Sequence, residues 1–144
     1  MFNKSADDRL SSWASFRCQL ATQPDPLQSI VDFWRPAPFI PYNRMVNPHD
    51  PGNWPTPWEI IVENKYDDFT KALMIGWALK FSSMFRDSDI EIKTLVDHDR
   101  ARQYNIVLVD NKRAINMRDD RPIEVKEIPG SYRLENSIRL EIPR

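Results

Sequence analysis

The chain is expected to fold as an α+β protein, with N-terminal helices, among them a long all-apolar central helix, packed on one face of a C-terminal antiparallel β-meander. Three observations lead there. Apolar residues recur at helical spacing up to residue 86, and after Asp87 the period falls to two. The segments between the alternating stretches are too short for parallel crossovers, so neighbouring strands must pair antiparallel. Helices in one run and strands in the next segregate into layers. At 144 residues the chain suits a single domain. Residues 1–86 form its helical half, with a proline-rich belt at 36–55, and residues 88–144 form its β half.

Ser5 caps a first helix, with Asp7 and Asp8 in the first turn at the positive end of the helix dipole and Leu10, Trp13, Ala14, Phe16 and Leu20 as its apolar positions. In P-D-P-L-Q-S-I-V-D-F-W, Asp25 is an N-cap and Pro26 the first helical residue. Leu27, Ile30, Val31 and Trp34 then follow at helical spacing until Pro36 disfavours helical geometry in Arg35. The belt from Pro36 to Pro55 holds six prolines and no periodicity. Its apolar side chains Phe39, Ile40, Tyr42, Met45 and Val46 predict an ordered loop lying across the helices.

The stretch N-W-P-T-P-W-E at Asn53–Glu59 reads as a helix start. Thr56 is the N-cap, Pro57 the first residue, and Glu59 completes a capping box. Ile61 and Val62 are expected to point inward with Trp58, and Trp54 and Trp58 to clamp the belt onto the central helix. The spacing of Pro55-Thr56-Pro57 is too short for a PxxP ligand. The central helix is predicted over 67–85, with Gly76 marking a close approach by another element. Strands are predicted at 89–97, 104–110, 113–117 and 123–128, then at 132–134 and 138–142 about a Glu135-Asn136-Ser137 turn.

Composition narrows the function classes. Twenty basic and twenty-one acidic residues are interspersed to a net charge of −1, which argues against specific nucleic-acid binding and anionic membranes. The longest apolar run, Ala72–Leu79, is far below the roughly 20 residues that span a bilayer, and the N-terminus lacks the apolar segment of a secretory signal. A non-secreted, non-membrane setting is expected. Cys18 is the single cysteine, so neither an internal disulfide nor a CxxC motif exists, and a small buried thiol is its ordinary explanation. No cofactor or small-molecule ligand is indicated, and glycine-rich nucleotide loops and nucleophile elbows are absent from the sequence.

The sharpest catalytic pattern is Asp110 with I-E-V-K at Ile123–Lys126. Two carboxylates hold a metal ion and a lysine activates water in metal-dependent nucleases, and strand alternation would put Glu124 and Lys126 on one face. The set resembles the PD-(D/E)xK nucleases, but that family continues with a helix after the lysine, whereas the remainder here reads as strands. Glu91 and Lys93 show how readily a strand surface produces the same spacing.

A helix followed by antiparallel strands also looks like the core of transglutaminase-like and papain-like cysteine enzymes, in which a cysteine opens the helix and strand residues activate it. Asp67 and Asp68 stand at this helix start, so the resemblance implies a scaffold without the nucleophile. His49 and His98 are isolated. The stretches D-H-D-R-A-R-Q, N-K-R and R-D-D-R mix both signs and read as solvated loops.

The region N-W-P-T-P-W-E-I-I-V-E-N-K-Y-D-D-F-T-K-A-L-M-I-G-W-A-L-K resembles uncharacterised proteins of marine tailed, T4-like bacteriophages, with similarity from D-P-L-Q-S-I-V-D-F-W through N-I-V-L-V-D-N-K. The resemblance implies a phage protein acting in virion assembly or in the host cytoplasm, and it assigns no catalytic residues. The resulting expectation is a non-enzymatic protein that binds a protein partner or itself. Its candidate surface is formed by Trp34, Phe39, Tyr42 and Trp54.

Overall fold

Helix caps written into the sequence define the first half of the structure, a computed structural model describing residues 1–142. Helix α1 spans Ala6–Gln19, with Ser5 Oγ accepting the Asp8 N–H. Helix α2 spans Pro26–Trp34, capped by Asp25, and α3 spans Pro57–Glu63. The capping box is complete: Thr56 Oγ1 accepts the Glu59 N–H at 3.2 Å and the Glu59 carboxylate accepts the Thr56 N–H at 3.0 Å. Helix α3 ends at Asn64, in the left-handed region at φ 59°.

Helix α4 spans Asp68–Lys80, shorter than the sequence pattern suggests and carrying Thr70 and Lys71 besides its apolar residues. Its end is set by Ser82, whose hydroxyl donates to the Leu79 carbonyl at 2.7 Å and competes with a further helical turn. From Ala72 to Leu79 every residue is buried except Trp77, which is partly exposed.

The sheet is antiparallel, with β1 Ile90–Asp97, β2 Arg102–Val109, β3 Arg113–Ile115, β4 Ile123–Glu124 and β5 Arg133–Arg139 in the order β4-β3-β2-β1-β5. It departs from a simple meander. The predicted strand at 123–128 stops at Glu124, because residues 125–127 wind into a 3-10 turn. The chain then crosses the sheet and adds β5 beside β1.

Glu135-Asn136-Ser137, expected as a turn, lies inside β5. Leu95 faces Leu134 while Thr94 faces Asn136, so Glu135 is the extra residue of a β-bulge. A polar triplet suits a bulge on an edge strand as well as it suits a turn.

Alternation along β1 and β2 builds two cores. Ile90, Ile92, Val107, Val109 and Ile115 face α4, and Leu95, Ile106, Leu108, Ala114 and Ile123 face the opposite way, beneath Met117, Val125, Ile128 and Tyr132. Gly76 marks the close approach anticipated for it, since a Cβ there would lie 2.5 Å from Leu140 Cδ1. Glycine supplies none of the left-handed backbone among the described residues. Asn64, Ala101, Asp110, Asn111 and Asn116 do so instead.

The belt is tied to the connection between α3 and α4. Ile40 N–H donates to the Tyr66 carbonyl at 3.0 Å, Tyr66 N–H to Pro38 at 3.1 Å, and Asn43 N–H to the Asp67 carboxylate at 3.0 Å. Trp54 packs on Phe69 of α4 at 5.7 Å, so it does clamp the belt. Trp58 does not. It packs on Trp13 and Phe81 at 6.0 and 5.4 Å, and Val62, one turn along, is exposed because Ile60 and Ile61 take the inward positions.

Candidate functional site

At the N-terminal end of α4, three elements bring polar side chains together on the helix-facing side of the sheet. Asp67, the N-cap, accepts the Thr70 N–H at 2.7 Å and leaves Asp68 as the first helical residue, directed at the sheet. Asn105 comes from β2, and Asn116 follows β3 at φ 76°. One Asp68 oxygen accepts the Asn105 backbone N–H at 3.3 Å and its Nδ2 at 3.0 Å. The other accepts Asn116 Nδ2 at 3.3 Å.

Asn116 Nδ2 also donates to the Asn105 carbonyl at 2.8 Å, and Thr94 donates its hydroxyl to Asn105 Oδ1 at 2.8 Å. Strand β3 has ended at Ile115. Side chains of Asp68 and Asn116 therefore complete backbone groups of β2 that have no strand partner. Burial holds the Asp68 pKa above its ordinary carboxylate value, with the Asn105 and Asn116 hydrogen bonds and the Lys71 charge pulling the other way. The arrangement orients a partly buried carboxylate with amides. Its side chains are Asp68, Thr94, Asn105 and Asn116, with neither the thiol nor the imidazole of a cysteine–histidine pair among them.

Sequence reasoning noted Asp68 at the helix start and missed its partners. The signal was present in Asn105, a polar residue opening the apolar run I-V-L-V on β2.

The nuclease set is spread over a turn, an edge strand and a 3-10 turn. Asp110 sits in the β2–β3 turn at φ 52°, and its carboxylate accepts the Asp89 N–H at 2.8 Å. Glu124 is on β4, two strands from β2 and so about 10 Å away across the sheet, and it faces Arg113 at 3.7 Å. Lys126 lies in the 3-10 turn, where strand alternation no longer places it on the face of Glu124. Among the described residues, no group of three or more His, Cys, Asp or Glu side chains is placed to hold a metal ion. Cys18 is exposed on α1, contrary to its expected burial, and His49 and His98 are exposed in turns.

The four aromatic residues of the candidate surface separate. Trp34 is fully buried among Phe2, Phe33 and Tyr66, with ring centroids 5.5 to 5.6 Å away, and is removed from any surface. Trp54 is partly buried against Phe69. Phe39 and Tyr42 remain 70% and 69% exposed, joined by Met45 at 61%. Met45 also lines a shallow cavity of about 150 Å³ with Val46, Pro55, Ile60 and Lys65. No protein-family model matches the chain, and no curated protein or solved structure matches it.

Proposed function

We propose that this is a phage-encoded, non-enzymatic protein that works by contact with another protein, in assembly of the virion or in the infected host cell. The phage setting rests on the sequence resemblance. The contact rests on one observation: Phe39, Tyr42 and Met45 project into solvent from a loop hydrogen-bonded to residues 65–67 through its backbone and the Asn43 amide. A core does not need these side chains, and large apolar groups held on a stiff loop lose little freedom on binding. Aromatic and methionine side chains are also those enriched at the centres of protein interfaces.

Quantitative mass spectrometry of purified phage particles, with amine cross-linking, tests this reading. Many copies per particle and cross-links from Lys65, which shares the shallow cavity with Met45, support assembly through the belt. Absence of the chain from particles removes the assembly role.

A second reading is favoured by the Asp68, Asn105 and Asn116 cluster. Its placement at a helix start, on a strand and just past the end of the next strand follows the order of the catalytic positions in transglutaminase-like and papain-like enzymes. We read the chain as such a scaffold in which amides and a carboxylate stand where reactive groups would be. The double variant D68C/N105H tests it through the pH profile of thiol alkylation. A thiol pKa well below the usual value of about 8.5 supports equivalence of the positions, and an unshifted one removes it. The metal-dependent nuclease alternative has less support, because Asp110 and Glu124 are engaged by Asp89 N–H and Arg113 and Lys126 lies in a 3-10 turn.

A further inference from the structure

The stretches D-H-D-R-A-R-Q and R-D-D-R, eighteen positions apart at Arg100 and Arg118, meet on the sheet face opposite α4. They border a groove of about 490 Å³, within the range of small-ligand sites. Arg100 comes from the β1–β2 turn, Arg102 from the start of β2 and Arg118 from the segment after β3. Among the described residues, none of the three makes an ion pair.

The groove also has an aromatic wall. Tyr104 and Tyr132 stack with ring centroids 5.6 Å apart and 8° between their planes, and the Arg102 guanidinium lies 5.2 Å from the Tyr104 ring centre. Carboxylates share the rim. The Glu127 carboxylate is engaged by the Glu124 N–H at 2.7 Å, whereas Asp119 and Asp120 hold Arg35 and Gln28 through their backbone carbonyls and keep their side chains free among the described residues.

We propose that this groove binds a nucleotide, its phosphate held by Arg100, Arg102 and Arg118 and its base lying against the tyrosine pair. Three guanidiniums from three elements converge on one groove without an ion pair among the described residues, which leaves their donors available to an anion. Guanidinium forks match phosphate oxygens, and a stacked tyrosine offers a flat apolar surface to a ring. Asp119 and Asp120 favour a base bearing N–H donors over a simple anion. The site was not legible as a basic cluster because its arginines lie in mixed-sign segments and only the fold of the sheet assembles them. It lies on the opposite sheet face from the Asp68 cluster and stands independently of the protein-contact reading.

Calorimetric titration of the full chain with adenosine monophosphate, inorganic phosphate and adenosine tests the proposal. Saturable, salt-weakened binding of the monophosphate at one per chain is expected, with each fragment weaker by about 10-fold or more. The exposed pair R100Q/R118Q should weaken it by about 10-fold or more while leaving the unfolding midpoint unchanged, and Y132L provides a second variant that removes the ring contact. A short oligoadenylate distinguishes a free nucleotide from a single strand as the source: binding that the monophosphate competes away supports the groove, and binding that it does not displace overturns it. The proposal is also overturned if the monophosphate shows no saturable binding, binds no more tightly than phosphate, or is indifferent to both variants.

Discussion

Asp68→Ala tests the polar cluster at the start of α4 directly. The variant takes from Asn105 the acceptor of both its backbone N–H and its side-chain amide, while Asn116 Nδ2 keeps the Asn105 carbonyl at 2.8 Å. Two buried donors left without a partner cost about 1–3 kcal/mol each. Removing a carboxylate whose burial disfavours its charge returns part of that. The expected net loss near neutral pH is about 2 kcal/mol, or a fall of roughly 6 °C in Tm for a domain of this size.

The pH dependence has a definite sign. Because folding raises the Asp68 pKa above its ordinary 3.8, the folded state holds the proton more tightly than the unfolded chain. The resulting stabilisation is full below about pH 4 and is lost as pH rises through the raised value. The alanine variant lacks it, so the stability gap between the two proteins should narrow on going from pH 4 to pH 7. Urea unfolding of both proteins across that range measures the gap. A difference below about 0.5 kcal/mol at neutral pH, or a gap that widens with pH, refutes the reasoning.

Gly76→Ala should destabilise by about 1 kcal/mol in urea unfolding, since over-packing against buried Leu140 outweighs a propensity gain of about 1 kcal/mol, and a more stable variant would show that Leu140 can move aside. At Asn116, φ of 76° favours glycine, so N116G should be more stable than N116A by about 1 kcal/mol although both lose the same side-chain bonds. Equal thermal midpoints for the pair would contradict the left-handed backbone. The triple change F39S/Y42S/M45S should leave stability within about 0.5 kcal/mol while abolishing Lys65 cross-links in particles, because the three side chains contribute surface rather than core. A large drop in Tm would place them in the fold instead.

Local chemistry fixed much of this protein before any contact between distant residues was known. Ser5, Asp25, Thr56 with Glu59, and Asp67 each cap a helix through bonds spanning only three residues, and Gly76 announced a close approach from its place in an apolar helix. Period-two alternation located β1 and β2 for the same reason: a strand's faces are set by its own backbone. Tertiary structure decided what depends on partners far along the chain. Whether Glu135-Asn136-Ser137 turns or bulges rests on pairing with Thr94 and Leu95, and whether Trp34 is surface or core rests on Phe2 and Tyr66 closing around it. The Asp68 cluster and the arginine groove exist only because the sheet order places residues from separate strands and turns side by side. Capping and alternation are short-range and therefore legible in sequence, whereas burial and convergence of charge are properties of the packed chain.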